Sequence, residues 1–133
     1  MSATTSLQAA SLQPSLTVRD LARSAAWYSE VFGFTIARRV EHEGKLRSVY
    51  VTAGDVRILL NQDDGAKGRE RKLGDGFSMM LNVDRDVDAV AAGIKARGGK
   101  LDMEPTDMPW GARMFRVFDP DGYKYAVACP VGK

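Results

Sequence analysis

The closing stretch of the chain, GYKYAVACP at residues 122–130, alternates between large apolar positions and small or polar ones. This spacing predicts a β-strand, because successive side chains of a strand point to opposite faces of the sheet. The large apolar face carries Tyr123, Tyr125 and Val127, and the other face carries Lys124, Ala126 and Ala128. The function of this strand depends on what the second, small-residue face lies against.

The same order of apolar and polar positions occurs twice along the chain. Residues 16–36 align with residues 81–101 at a constant offset, so that Val18 matches Val83 and Ile36 matches Leu101. In each copy a short strand leads into a helix, a glycine and a second strand. Further runs rich in β-branched and aromatic residues complete each copy. Each half of the chain is therefore predicted to be a β-α-β-β-β module.

Helical spacing is clear in both copies. The first helix is predicted to begin after Asp20, a good N-cap, and to end at Gly33, which tolerates the left-handed conformation. Its apolar stripe is Leu21, Ala25, Tyr28 and Phe32. The second helix is predicted to begin after Asp84 or Asp86 and to end at the two glycines 98 and 99. Its apolar stripe is Val87, Val90, Ala91 and Ile94.

The two modules are predicted to span residues 12–61 and 77–130. Residues 62–76 lack apolar periodicity and are predicted to form a linker, with flexible tails at residues 1–11 and 131–133. The basic cluster KGRERK in this linker is interpreted as solvated, because Glu70 interrupts it and no aromatic residue is interleaved. The sequence DPDG at residues 119–122 predicts a tight turn before the last strand.

The strands that open and close each module have one face of large apolar residues, which is predicted to pack against the helices. Their opposite faces mix apolar and polar residues: Gln13, Ser15, Thr17, Arg57, Leu59, Asn61, Ser78, Met80, Asn82, Lys124, Ala126 and Ala128. A solvated face usually carries more charge, and a buried face carries fewer polar groups. The mixed composition therefore indicates a curved sheet around a semi-apolar ligand cavity.

The repeated module, together with the stretches VRDLARSAAWYSEVFGF and PWGARMFRVFDPDGYKY, resembles the vicinal oxygen chelate superfamily. That group includes glyoxalase I, extradiol dioxygenases, fosfomycin-inactivating enzymes and bleomycin-resistance proteins. The resemblance implies an α+β fold in which two βαβββ modules form a cup-shaped, curved mixed sheet with the helices on its outer face. It also implies a homodimer, in which a partner chain completes the open side of each sheet.

The resemblance further implies where metal-binding relatives hold their ion, on the opening and closing strands of each module. The matching positions here are Gln13, Leu59, Ser78 and Ala126. Leucine and alanine offer no side-chain ligand, glutamine is a weak one, and serine rarely binds a divalent ion without stronger partners. The chain also has a single histidine, His42, in a predicted turn. We therefore expect no metal site, no catalytic residue of the metal-dependent type and no cofactor.

Length, charge and cysteine content limit the possible partners and location of the protein. The 133 residues suit one typical domain, and the net charge of +2 is too small to indicate a nucleic-acid partner. No apolar run is long enough to span a membrane, and the first residues do not look like a secretory signal. The single cysteine, Cys129, excludes an internal disulfide and favours a cytoplasmic location.

The loop PWGAR, residues 109–113, offers two further candidates for the site. Trp110 is placed to stack on a flat ligand, with Arg113 supplying a charge or a bidentate contact. The alternative is that Trp110 covers a sheet edge or a dimer contact. The predicted ligand-binding set is Gln13, Ser15, Arg57, Leu59, Asn61, Ser78, Met80, Trp110, Arg113 and Ala126.

Two functions remain open. The first is a metal-independent binding protein of the bleomycin-resistance type, which sequesters an aromatic or anionic antibiotic or metabolite. Bleomycin itself is disfavoured, because it is cationic and the chain is basic, with a pI of about 8.8. The second is an enzyme of the glyoxalase or dioxygenase type, acting as a lyase, isomerase or dioxygenase through unusual metal ligands or a cofactor.

Overall fold

The computed structural model describes residues 6–68 and 70–131, which form two β-α-β-β-β modules in succession. The first contains β1 (Ser15–Val18), α1 (Leu21–Trp27) with a π-helical turn (Tyr28–Phe32), β2 (Thr35–His42), β3 (Lys45–Ala53) and β4 (Val56–Gln62). The second contains β5 (Ser78–Asn82), α2 (Val87–Ala96), β6 (Leu101–Asp107), β7 (Ala112–Phe118) and β8 (Lys124–Pro130). In the described part of the chain neither helix is long and apolar enough to cross a membrane.

Each module contributes one open, curved, four-stranded mixed sheet. The strand order is β1-β4-β3-β2 in the first sheet and β5-β8-β7-β6 in the second. The opening and closing strands pair in parallel, and the other neighbouring strands pair antiparallel. The predicted α+β class and the repeated module are confirmed.

The first helix follows its predicted signals until its last turn. The Asp20 carboxylate accepts a hydrogen bond from the Arg23 backbone N–H at 3.2 Å, and Gly33 ends the helix with a φ of 93°. The last turn is π-helical, over Tyr28–Phe32, which the apolar spacing did not indicate. In the second helix Asp86, not Asp84, is the N-cap, since its carboxylate accepts the Asp88 backbone N–H.

One apolar core extends through both modules and lies on the helix side of both sheets. It contains every large apolar residue predicted to face the helices, either fully buried or packed against the buried cluster. The core includes Val18 and Ile58 from the first sheet, and Tyr125 and Val127 from the second. The helix-side faces of both sheets are therefore used for folding, and the opposite faces are the candidates for a binding surface.

The DPDG turn joins the modules as well as connecting two strands. Its Asp119 carboxylate accepts a hydrogen bond from the Tyr28 hydroxyl at 2.7 Å, and the Tyr28 and Tyr125 hydroxyl oxygens are also 2.7 Å apart. Its Asp121 carboxylate accepts the Ser24 hydroxyl and the Arg19 backbone N–H, each at 2.9 Å. Burial raises the pKa of the Asp119 carboxyl above its ordinary value, against the lowering effect of the Tyr28 hydrogen bond.

Candidate functional site

Each sheet has an open face, opposite the helices, whose members follow from the strand register. The first open face includes Ser15, Thr17, Thr35, Arg38, Val40, Ser48, Tyr50, Thr52, Arg57, Leu59 and Asn61. The second open face includes Ser78, Met80, Asn82, Met103, Thr106, Met114, Arg116, Phe118, Lys124, Ala126 and Ala128. Seven of the ten predicted ligand-binding residues therefore lie on strands with their partners on an open face: Ser15, Arg57, Leu59, Asn61, Ser78, Met80 and Ala126.

The polar groups of the first open face are bonded mainly to each other. The Asn61 side-chain amide donates to the Ser15 hydroxyl and accepts from the Ser48 hydroxyl, both at 2.8 Å. The Arg57 guanidinium lies over the Tyr50 ring, 4.1 Å from its centroid, in a cation–π contact. These contacts fix the side chains in place before any ligand arrives.

The second open face is mainly apolar and rich in methionine. Met114, Ala126 and Ala128 form a small buried cluster separate from the main core, with Met103 and Met108 packed against it. Met80, the β5 neighbour of Ala126, is 50% exposed. Methionine is flexible and polarisable, so this surface can adapt to the shape of an apolar or aromatic ligand.

The charged residues that the register places on the two open faces are all cations within the described strands. They are Arg38, Arg57, Arg116 and Lys124. Arg116 lies beside Ala126 in the β7–β8 register, near the middle of the second open face. Neither Arg116 nor Lys124 forms an ion pair with any described residue. The open faces therefore carry positive charge that is not neutralised by neighbouring acids.

Arg38, Tyr50 and Arg116 are absent from the predicted site because the alternation of the middle strands was not assigned to faces. In β7 the sequence does show this alternation, since Met114, Arg116 and Phe118 alternate with apolar residues. In β2 and β3 the signal is disturbed, because β-bulges shift the register between Ile36 and Arg38 and again after Val40.

The expectation that Arg113 lies near the cavity is wrong. Arg113 pairs with Cys129 in the register, on the helix side of the second sheet. Its guanidinium donates to both carboxylate oxygens of Asp88, at 2.7 and 3.0 Å, and to Asp107 at 3.0 Å. The hydrogen bonds from Arg113 lower the pKa of the Asp88 carboxyl. Residue parity explains the error, since Arg113 precedes Met114 and so faces the other way.

Trp110, Gln13 and Ser78 lie at the margins of the open faces. Trp110 is in the tight β6–β7 turn and is 62% exposed. Gln13 is exposed in the segment before β1, and Ser78 begins β5.

The positions that hold metal in the resembling enzymes do not fit a metal ion here. Leu59 and Ala126 have no donor atom, and Gln13 and Ser78 are neutral donors. Among the described residues no group of three or more His, Cys, Asp or Glu side chains could hold a metal ion. The donor chemistry of these faces therefore does not support a divalent-metal centre.

The chain is similar to known proteins over most of its length. A family model described as Glyoxalase/Bleomycin resistance protein/Dioxygenase superfamily matches residues 9–127. A probable lactoylglutathione lyase of Synechocystis sp. is 29% identical over 119 residues, covering 85% of this chain and 89% of that protein. A lactoylglutathione lyase of Arabidopsis thaliana is 28% identical over 114 residues, covering 81% of this chain but only 40% of the plant protein.

Solved structures show the same fold at low identity. TioX from Micromonospora sp. ML1 superimposes with a TM-score of 0.74 and 22% identity, covering 92% of this chain and all of that one. A glyoxalase/bleomycin resistance protein/dioxygenase from Nocardioides gives a TM-score of 0.71 and 21% identity, covering 98% of this chain and 89% of that one. At this identity the likeness shows the fold alone.

Proposed function

The chain belongs to the glyoxalase/bleomycin resistance protein/dioxygenase superfamily, and on this basis we propose that it binds a small anionic or polar aromatic molecule without a metal ion. The observation that carries the proposal is the charge of the open faces, where the register places Arg38, Arg57, Arg116 and Lys124 and, among the described strands, no acid. Electrostatic complementarity then favours an anionic partner.

The apolar part of the second open face supports an aromatic ring as the other component of this molecule. Met80 offers a half-exposed, adaptable surface, and its neighbour Ala126 lies beside Arg116 in the strand register. Ligand pockets of this kind are mostly apolar, with a few placed polar groups that fix orientation. A ring against Met80 with its anionic group at Arg116 satisfies both components.

The second candidate function is an enzyme of the type that its relatives' names describe. Two relatives named lactoylglutathione lyase are 28% and 29% identical to this chain. Against this candidate stand Leu59 and Ala126 at positions where metal-binding members hold a ligand. A binding role needs only shape, apolar area and charge, all of which these faces provide.

Calorimetry with aromatic carboxylates and their neutral amides tests the binding role. We expect Arg116→Gln to weaken the carboxylates about tenfold, because a charge-assisted hydrogen bond contributes about 1.5–3 kcal/mol, and to leave the amides nearly unchanged. Arg23→Gln, an exposed arginine on α1, is the matched control. Carboxylates that bind Arg116→Gln as tightly as the parent would contradict the proposal.

A parallel measurement separates the binding protein from the enzyme. The purified chain, dialysed and then supplied with zinc or nickel, is assayed for formation of lactoylglutathione and for retained metal. We expect no turnover, and we expect far less than one retained metal ion per chain. Turnover that depends on retained metal would establish the enzyme instead.

We further propose that a second copy of the chain completes the open faces in a reducing, cytoplasmic setting. Met80 on the second open face is half-exposed, and a partner chain would cover it. At micromolar concentration we expect sedimentation near twice 14.5 kDa, the mass of one chain. A monomer across this range would refute the dimer.

A further inference from the structure

A cleft of about 610 Å³ lies between the linker and the ends of the second sheet, and it is complete within one chain. One wall consists of residues 72–76 of the linker together with Phe77, and Phe118, Gly122 and Lys124 also line the cleft. Its volume falls in the range of small-molecule pockets. It adjoins the second open face, but most of its lining comes from residues outside that face.

The linker wall is built into the fold, although the sequence indicated only a solvated connection. Leu73 is buried in the main core, and Gly74 lies so close to the turn before β8 that an added Cβ would be 2.8 Å from the Gly122 carbonyl oxygen. The Arg19 guanidinium also donates to the Arg71 carbonyl oxygen at 2.9 Å. The wall is therefore anchored by apolar burial, backbone contact and a hydrogen bond.

Two phenylalanines give the cleft an apolar surface that contacts water. Phe77 is 46% exposed and Phe118 is 45% exposed, and both line the cleft. Exposed aromatic rings in a concave site are a common feature of ligand-binding surfaces. Both side chains are therefore available for apolar contact with a ligand in the cleft.

The cleft also has one cation with no acid to neutralise it. The guanidinium of Arg19 lies 3.5 Å from the Asp121 carboxylate, and the Lys72 ammonium lies 3.8 Å from Asp75. Lys124, the remaining charged residue of the lining, has no ion-pair partner among the residues described. The lining therefore keeps one uncompensated positive charge beside the phenyl rings.

From these features we propose that this cleft is a second binding site, specific for an aromatic anion, with the ring against Phe77 and Phe118 and the anionic group at Lys124. Phe118 and Lys124 also stand at the end of the second open face, but this site combines them with the linker wall. The proposal goes beyond the function proposed for the open faces, because this site needs neither Arg57 nor Arg116 nor a partner chain. The acidic group is a carboxylate, sulfonate or phosphate, since all three present anionic oxygens to the ammonium.

Two fluorescent probes that share their rings but differ in charge test the site. 1-Anilinonaphthalene-8-sulfonate carries a sulfonate, and N-phenyl-1-naphthylamine lacks it. We expect Lys124→Gln to weaken the sulfonate about fivefold and to change the neutral probe less than twofold. Phe118→Ala should weaken both probes about tenfold. Lys100→Gln, at an exposed lysine of the second module outside the cleft, is the control and should change neither.

Further variants separate this site from the open faces. Arg116→Gln should leave sulfonate binding here unchanged, and the component of binding that Lys124→Gln weakens should amount to one probe per chain at both low and high protein concentration. If Phe118→Ala lowers the urea midpoint, Phe77→Ala replaces it in the same test. Sulfonate binding that survives Lys124→Gln, or that Arg116→Gln weakens instead, would overturn the cleft and leave the open-face proposal standing.

Discussion

Replacing Tyr28 with phenylalanine removes a single oxygen atom but should destabilise the protein strongly, because the Tyr28 hydroxyl forms hydrogen bonds with two buried partners across the module boundary. Tyr28 and Tyr125 are both fully buried. The Tyr28 hydroxyl donates to the Asp119 carboxylate at 2.7 Å, so the Tyr125 hydroxyl is the donor in the second 2.7 Å bond. Tyr28→Phe therefore removes a charge-assisted bond and a neutral bond together.

The magnitude follows from these two bonds. A hydrogen bond to a charged group contributes about 1.5–3 kcal/mol and a neutral one about 1 kcal/mol, so Tyr28→Phe should cost about 3 kcal/mol. Tyr125→Phe removes the neutral bond alone and should cost about 1 kcal/mol. A domain of this size has roughly 5–15 kcal/mol of stability, so both variants should fold.

Urea unfolding followed by tryptophan fluorescence measures both costs, since the Trp27 ring lies 5.1 Å from the Tyr28 ring. In the double variant, Tyr125→Phe should add almost nothing to Tyr28→Phe, because the Tyr125 hydroxyl has already lost its acceptor. Equal costs for the two single variants, or strict additivity in the double one, would refute the proposed direction of the hydrogen bonds.

Two further predictions concern the turn at the module boundary and the linker that packs on it. Burial raises the pKa of the Asp119 carboxyl, so at pH values between its ordinary and its raised pKa the native protein binds a proton that the unfolded chain does not. The free energy of unfolding should therefore fall as the pH rises through that window. In urea titrations at several pH values, Asp119→Asn should abolish this fall. Gly74→Ala should cost about 2 kcal/mol in thermal unfolding, since it combines a φ of 78° with the 2.8 Å approach to Gly122. Gly68→Ala, with a φ of 85° and nothing within 4 Å, should cost about 1 kcal/mol; an equal loss at both would exclude the steric term.

Features that depend on neighbours in the chain could be predicted from the sequence. The Asp20 cap, the stripe from Leu21 to Phe32 and the Gly33 stop are local signals, and each is confirmed. The period-2 alternation of β8 likewise separates Tyr125, in the core, from Ala126, on the open face. Local geometry alone decides these assignments.

Features that depend on distant pairing could not be predicted. The Asp119 carboxylate meets Tyr28 only after the modules fold together. No local sequence pattern relates a turn to a helical residue 91 positions earlier in the chain. Arg113 had a plausible loop position, but its side chain is held by Asp88 on the second helix. The linker wall of the cleft depends on burial of Leu73 in a core built from other segments.

The two open faces differ in how much binding free energy they can supply. On the first, Asn61 already bonds to Ser15 and Ser48, and Arg57 already lies on Tyr50, so a ligand must compete with existing contacts. On the second, Arg116 and Lys124 have no ion-pair partner in the described chain, so a ligand anion gains their full interaction without displacing an acid. Ligand affinity should therefore be concentrated on the second sheet, with the first sheet fixing the shape and orientation of the site.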